Sequence, residues 1–186
     1  INPTLSMQMA AMYPTVFKKE NGTVTPANSC PISDGAAALL VMTAEKAKAL
    51  GLQPMARVVA YDYAALNPGI MGLGPAKAIP KMFAKMKKRG INISFDEVDL
   101  IELNEAFAAQ VLSCSKDLLA NGYNLDWKKV NVNGGAIALG HPVGATGAKI
   151  TVTLMHEMKR RNAHYGIVTM CVGGGQGGVM LVENVS

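Results

Sequence analysis

The chain has 186 residues, of which 49% are apolar and 17% charged, with 19 glycines and 9 prolines. This composition excludes a disordered, collagen-like or low-complexity protein and supplies enough apolar side chains for one sizeable core. The formal net charge of +5 is dispersed along the sequence. It is compatible with an anionic ligand but does not have the pattern of a nucleic-acid-binding protein.

The sequence carries no signal for a membrane or for secretion. The longest apolar run, Gly35–Met42, ends at Thr43, well short of the roughly 20 residues that a membrane-spanning helix needs. Residues 1–4 lack the pattern of a secretory signal peptide, and Glu183–Ser186 is not a peroxisomal signal. Because the sequence does not begin with Met, we interpret it as a processed chain or a piece of a longer protein.

Turn-forming residues dominate positions 1–33, and alternating strands and helices are predicted after them. Asp34–Met42 is an alanine-led apolar run that predicts a buried strand. The further predicted elements are, in chain order, helix Ala44–Leu50, strand Met55–Tyr63, a helix ending near Gly90 with a kink or late start at Pro80, strand Val98–Leu103, helix Glu105–Asn121, short strand Val130–Val132, helix Thr146–Asn162 and strands Gly166–Cys171 and Val179–Glu183. This alternation predicts a layered α/β domain.

Ten of the 19 glycines fall in two short segments, one around His141 and one directly after Cys171. Glycine lets backbone N–H groups approach a ligand without an intervening side chain. Two such segments, each beside a nucleophile or a base, predict the walls of an active site. Gly173–Gly178 also satisfies G-x-G-x-x-G, but only a predicted strand follows it, so a dinucleotide site is rejected.

Three polar side chains are the candidates for chemistry. Cys171 alone is typical of an inert buried thiol, but the N–H groups of the glycine turn after it are placed to stabilise a thiolate or an oxyanion. His141, in an irregular loop, is suited to donate to a developing negative charge or to act as a base for a thiol. Asn104 either caps the next helix or serves a ligand at a strand end, and the spacing leaves both open.

The other cysteines and histidines have weaker patterns. Cys114 is interpreted as helix core, and His156 and His164 as structural residues on or near a helix end. The role of Cys30 stays open. No spacing of His and Cys matches a structural zinc site, and no metal is expected. Because three cysteines cannot all pair, free thiols in a reducing compartment are favoured.

Four motifs together resemble the signatures of the thiolase family, in that family's order. They are Asn28–Ala38 (N-[AS]-S-x-x-[NS]-D-G-A-A-A), Asn104–Gln110 (N-E-A-F-A), Asn131–Gly147 (G-G-A-I-A-x-G-H-P-x-G-x-[ST]-G) and Met170–Gly177 (C-x-G-G-G-x-G). The resemblance implies a layered α/β domain, with a mixed sheet and helices on its faces, that is half of an α/β/α/β/α arrangement. It also implies acyl transfer between coenzyme A thioesters, by thiolysis of a 3-ketoacyl-CoA or by Claisen condensation of acyl-CoAs.

The resemblance implies a role for each candidate. Cys171 would be the acid/base that deprotonates the attacking coenzyme A thiol or the acetyl α-carbon. His141 would help activate a nucleophilic cysteine and contribute to an oxyanion hole, and Asn104 would hold the water that completes that hole. The backbone N–H of Gly173 would contribute to a second oxyanion hole. Coenzyme A would be a substrate, no cofactor is implied, and the residues that hold it are not assigned.

The sequence departs from the family in one important respect. The acyl-accepting cysteine of thiolases lies in their N-terminal half and has no counterpart in this sequence, since neither Cys30 nor Cys114 has the sequence around it that this cysteine has in the family. We therefore expect a C-terminal portion: residues 1–53 would be a loop-domain remnant plus a strand-helix segment of the N-terminal thiolase domain, and residues 54–186 the C-terminal thiolase domain. Lys149, where many relatives carry Arg, is expected to lie away from the chemistry.

This interpretation has consequences for activity and partners. The chain alone is expected to be inactive and to need the missing N-terminal half of the same protein, the intact protein being a homodimer or homotetramer. Acyl-CoA and coenzyme A are the expected ligands, and the bacterial cytoplasm or the mitochondrial matrix the expected compartment. A ketoacyl synthase shares the fold, but Asn104 and Cys171 stand where a thiolase has them. The alternative of a different class is a non-catalytic thiolase-like binding or dimerisation domain.

Overall fold

The structure, a computed structural model, describes residues 4–186. Of residues 1–4, from which we predict that no signal peptide is present, only residue 4 lies among the described residues. The helices are α1 Met7–Ala11, α2 Ala44–Ala49, α3 Gly74–Lys88, α4 Ala108–Ala120, α5 Ala136–Leu139 and α6 Thr146–Arg161, with short 3₁₀ turns at Pro26–Asn28, Pro68–Leu73 and Phe95–Glu97. The strands are β1 Ala56–Ala65, β2 Leu100–Leu103, β3 Tyr165–Val172 and β4 Gln176–Asn184.

The four strands form one mixed sheet in the order β1-β4-β3-β2. β4 is antiparallel to both β1 and β3, whereas β2 runs parallel to β3. A parallel pair needs a long crossover, and here the connection from β2 to β3 contains α4, α5 and α6. The predicted mixed α/β sheet with helices is confirmed.

The sheet buries apolar side chains on both faces. Ile167 and Leu181 belong to one core with residues of α3 and α4, while their neighbours Val168 and Val182 belong to a second core with residues of α6. Successive residues of a strand point to opposite faces, so helices cover both sides of the sheet. Within residues 4–186, no helix is long and apolar enough to cross a membrane.

Helix α3 begins before Pro80 and continues through it, so the predicted late start at this proline is wrong. It begins at Gly74, has Pro75 in its first turn and continues past Pro80. Proline removes one helical hydrogen bond, but α3 buries Ile79, Met82 and Met86 against the sheet. Burial of side chains of this size contributes about 1.5–3 kcal/mol each, which offsets the lost bond.

Two predicted strands are wrong. Asp34–Met42 has no regular secondary structure, and its Leu40 and Val41 are each 80% exposed. Strand backbone needs a neighbouring strand to pair with, and residues 4–186 provide none for this segment. The predicted strand Val130–Val132 is not formed, and Val130 makes only a single parallel bridge with Ile101.

Candidate active site

The candidate residues gather where two parallel strands end. Leu103 pairs with Thr169 at the end of the β2–β3 ladder. The backbone N–H of Asn104 donates to the carbonyl oxygen of Thr169 at 3.0 Å. Cys171 lies two positions beyond Thr169, near the end of β3. Asn104 and Cys171 therefore share the carboxyl edge of the parallel pair, where α/β sheets commonly bind ligands.

Asn104 contacts His141 and does not cap a helix. α4 begins at Ala108 and has Phe107 in its cap position, so the capping alternative is wrong. The Asn104 side chain is only 2% exposed, and its Nδ2 lies 3.4 Å from Nε2 of His141. Its Oδ1 is buried without a hydrogen-bond partner in the described structure. A buried amide oxygen without a partner is able to accept a hydrogen bond from a bound water or ligand.

The hydrogen bonds of His141 assign its tautomer. Nδ1 lies 2.7 Å from Oγ1 of Thr146, at the start of α6. The Thr146 hydroxyl donates its hydrogen to the carbonyl oxygen of Pro142 at 2.9 Å, so it accepts from Nδ1–H. The neutral imidazole then carries its lone pair on Nε2, which faces the donor Nδ2 of Asn104.

The electrostatic surroundings of His141 favour the neutral imidazole. Burial, and after it the nearby cation of Lys149, lower the pKa of His141 below its ordinary value. Neutral His141 is unprotonated at Nε2, which faces Nδ2 of Asn104, and this is the form of the imidazole that can accept a proton from a thiol. Lys149, expected to lie away from the chemistry, thus acts on His141 directly.

Cys171 is a buried, protonated thiol. Cys171 is only 7% exposed. This burial is the main cause that raises the pKa of its thiol, and the Cys30 thiol raises it further. A backbone hydrogen bond at Cys171 favours the thiolate, but the loss of solvent around the thiol outweighs it, so the pKa lies above its ordinary value. Within residues 4–186 no hydrogen bond joins the thiol to His141.

The turn after Cys171 contains three glycines with different requirements. Gly174 and Gly175 have φ angles of 84° and 87°, which favour glycine. Gly175 also packs so closely on the backbone of Leu66 that a Cβ would overlap it. Gly173 is exposed and has free space around it. The oxyanion role of its N–H stays a prediction.

Cys30, whose role the sequence left open, lies in a segment that contacts this site. The backbone N–H of Cys30 donates to the carbonyl oxygen of Ala106 at 3.1 Å, and Ile32 forms a parallel bridge with His141. The half-buried Cys30 thiol is consequently close enough to act on the pKa of Cys171. Cys30 and Cys171 are far apart in the sequence, so periodic patterns could not predict that they lie close together. The one indication in the sequence is that both belong to motifs of the same family.

Of the residues interpreted as structural, Cys114 lies in the core as predicted, whereas the two histidines lie at the surface. Cys114 is fully buried in α4, and burial raises its pKa to about 11. His156 and His164 are exposed, and His164 lies 3.4 Å from a carboxylate oxygen of Glu183. All three cysteines are free. In the described part of the chain, no group of three or more His, Cys, Asp or Glu side chains is arranged to hold a metal ion.

Fold and site together define an α/β domain that presents a thiol, an imidazole and an amide at one edge of its sheet. The family model "Thiolase, C-terminal domain" matches residues 52–184, and "Thiolase, N-terminal domain" matches residues 1–45. The chain belongs to the thiolase family. The predicted family membership is confirmed.

Individual relatives agree with the family models. The chain is 49% identical over 175 residues to an acetyl-CoA acetyltransferase of Syntrophomonas wolfei, covering 94% of this chain and 42% of the relative. It superposes on the crystal structure of the Bacillus anthracis acetyl-CoA acetyltransferase with a TM-score of 0.90 and 46% identity, over 98% of this chain and 44% of the other. Human mitochondrial 3-ketoacyl-CoA thiolase in complex with CoA gives a TM-score of 0.85 at 39% identity, over 99% and 44%. The chain thus spans less than half the length of these relatives.

Proposed function

We propose that this chain is the C-terminal portion of an acyl-CoA C-acyltransferase. The whole protein would transfer acyl groups between coenzyme A thioesters, by thiolysis of a 3-ketoacyl-CoA or by Claisen condensation of acyl-CoAs. The observation that carries the proposal is the contact between Asn104 and the Nε2 face of His141, at the sheet edge that also holds Cys171. The names of the relatives, acetyl-CoA acetyltransferase and 3-ketoacyl-CoA thiolase, support the same chemistry.

Cys171 is proposed as the acid/base. Its raised pKa keeps the thiol protonated at neutral pH, and a protonated thiol can give a proton to the carbanion that forms when the Cα–Cβ bond of a 3-ketoacyl-CoA breaks. The resulting thiolate can then take the proton of an attacking coenzyme A thiol. In the condensation direction, Cys171 first gives its proton to the departing coenzyme A thiolate, and the thiolate formed on Cys171 then takes a proton from the acetyl α-carbon.

His141, Asn104 and Gly173 are proposed to serve the nucleophile and the oxyanions. The lone pair on Nε2 of His141 suits removal of a proton from the acyl-accepting cysteine, and protonated Nε2 then donates to a developing oxyanion. The open acceptor Oδ1 of Asn104 is suited to hold the water that completes this oxyanion hole. The N–H of Gly173 would serve a second hole. Coenzyme A is proposed as a substrate, with no resident cofactor.

The proposed partner is the missing N-terminal half, which would bring the acyl-accepting cysteine. The chain's share of its relatives, 42% and 44%, supports this partner. The exposed apolar segment Asp34–Met42, which has no strand neighbour among residues 4–186, is suited to pair with that half. We propose residues 1–53 as remnants of the loop and N-terminal domains, residues 54–186 as the C-terminal domain, and a homodimer or homotetramer when intact. The proposed compartment is the bacterial cytoplasm or the mitochondrial matrix, which suits three free thiols.

The proposal is tested by reconstitution. The chain is co-expressed with the unmatched amino-terminal part of the Syntrophomonas wolfei relative, and the complex, called here the reconstituted pair, is assayed for thiolysis of acetoacetyl-CoA. We expect turnover by the pair, none by the chain alone, loss of turnover in Cys171→Ala and retention in the control Cys114→Ala. Activity that survives Cys171→Ala would overturn the acid/base assignment. A stable complex that binds coenzyme A without turnover would favour a non-catalytic binding domain.

A further inference from the structure

The one-turn helix α5, which lies directly before His141, is held at both ends by charged side chains. At its start, the backbone N–H of Ile137 donates to Oε2 of Glu105 at 3.2 Å. Beyond its end, Nζ of Lys149 donates to the carbonyl oxygens of Gly140 at 2.7 Å and Leu139 at 3.4 Å. A helix of one turn cannot satisfy its own terminal N–H and C=O groups. These two side chains therefore supply partners that the helix lacks.

Glu105 is itself fixed to the end of β2. Its Oε1 accepts from Nδ2 of Asn131 at 3.0 Å. The Asn131 amide also accepts from the N–H of Leu103 at 2.9 Å and donates to the carbonyl of Leu103 at 2.8 Å, as a neighbouring strand would. The carboxylate lies against Gly135 so closely that a Cβ there would overlap it. The start of α5 is thereby tied to the strand end from which Asn104 projects.

These ties fix the distance between the two site residues. Asn104 lies between Leu103 and Glu105, and His141 directly follows Gly140, whose carbonyl Lys149 holds. Gly140 has a φ angle of 91°, and glycine adopts positive and negative φ angles about equally readily, so its own conformational preference does not hold this backbone. Without the two charged side chains, the backbone before His141 would lose its side-chain ties to the strand end that carries Asn104, while the contacts of His141 with Thr146 and Ile32 would remain.

We infer that Glu105 and Lys149 are positioning residues that clamp α5 and so hold Nε2 of His141 against Nδ2 of Asn104. The inference rests on the proposed function, in which His141 is the base, but the geometry that it requires is measurable without turnover. Glu105 acts from the segment that follows β2 and Lys149 acts from α6, so the clamp connects the two elements that flank the site.

The clamp is tested on the ¹⁵N-labelled 186-residue chain by histidine NMR and by amide hydrogen exchange. Glu105→Gln keeps the size of the side chain but replaces one of its two acceptor oxygens by a donor. Because the Ile137 amide then loses a hydrogen bond to a charged group, we expect its hydrogen exchange to become about 10- to 100-fold faster. Lys149→Met should raise the pKa of His141, because it removes a nearby cation, and should speed exchange of the α5 amides. The controls Glu20→Gln and Lys159→Met remove the same charges at exposed positions and should change neither signal.

Conservative variants keep the test decisive if a variant unfolds. Lys149→Arg retains the cation and its donors, and should keep the His141 pKa and the α5 exchange rates of the wild-type chain. Lys149→Gln retains a donor without the charge, and should raise the His141 pKa with little change in exchange. Wild-type exchange rates of the α5 amides in both Glu105→Gln and Lys149→Met would overturn the clamp, whatever the His141 pKa in the neutral Lys149 variants. A reconstituted pair without turnover, with these NMR signals as expected, would count against the proposed function alone.

Discussion

Thr146 accepts a hydrogen bond from Nδ1 of His141 at 2.7 Å. Because the Thr146 hydroxyl gives its own hydrogen to the Pro142 carbonyl, the acceptor role is fixed and the imidazole lone pair is left on Nε2. The first residue of α6 thereby determines which nitrogen of His141 faces the site. A second residue that orients a catalytic histidine is a recurring arrangement in enzymes that activate a nucleophile.

Removing this acceptor should release the tautomer. Thr146→Val keeps the shape of the side chain but cannot accept from Nδ1–H, so we expect the Nε2–H tautomer to appear in the ¹⁵N spectrum of His141. In the reconstituted pair, we expect kcat to fall about 10- to 100-fold with little change in KM, below the full contribution of a general base. Thr151→Val is the matched control, since Thr151 is also buried and bonds a carbonyl four residues earlier. Equal kcat values for the two variants would contradict the orienting role.

The buried carboxyl of Glu102 should make stability depend on pH. Burial is the main cause that raises its pKa to about 7, with Glu105 and Glu157 raising it and Lys149 lowering it. Between about pH 4.5 and pH 7 the folded chain holds a proton that the unfolded chain has lost, so stability falls as the pH rises through this window. The total loss attributable to this group is up to about 3 kcal/mol.

Glu102→Gln removes this titration, and we expect the difference in free energy of unfolding between pH 5 and pH 8 to shrink by that amount. Urea unfolding of the 186-residue chain at the two pH values measures it. Glu20→Gln, at an exposed position, should leave the pH dependence as it is in the wild-type chain. An unchanged pH dependence in Glu102→Gln would show that Glu102 titrates at its ordinary pKa in the folded state.

The three thiols should differ in reactivity. Cys30 is half-buried, Cys171 is 7% exposed and Cys114 is fully buried with a pKa of about 11. Because thiolate fraction and access both control alkylation, we expect iodoacetamide to modify Cys30 first, then Cys171 and last Cys114. Peptide mass spectrometry of the native chain over time gives the order, and modification of Cys114 before Cys171 would contradict the described burial.

The sequence was sufficient for much of the fold, because helices such as α6 and strands such as β3 carry their own periodicity. The motifs likewise pointed to Asn104, His141 and Cys171. The sequence left open whether Cys171 is a buried thiol or a stabilised thiolate, because the extent of its burial depends on packing that a linear sequence does not display. The contact of Glu105 with Ile137 was missed for a related reason: it spans 32 positions, and no periodic pattern extends so far.

The wrongly predicted strand Asp34–Met42 has a different cause. Its apolar residues match those of a buried strand, but a strand needs a neighbour, and the described chain provides none. The composition of the segment thus fits an environment that this chain alone does not create. The same reasoning makes the segment the best place to test the proposed partner.

A charge in this segment should block assembly without unfolding the chain. Leu40 is 80% exposed, so Leu40→Asp costs little in the isolated chain, and its thermal unfolding should match that of the wild-type chain. If the missing N-terminal half covers this segment, the same charge is buried on assembly, and association weakens about 10-fold or more. Leu119→Asp is the control, because Leu119 is 60% exposed on α4. Size-exclusion chromatography of the reconstituted pair gives the comparison: equal assembly of both variants would place the N-terminal half elsewhere on the surface.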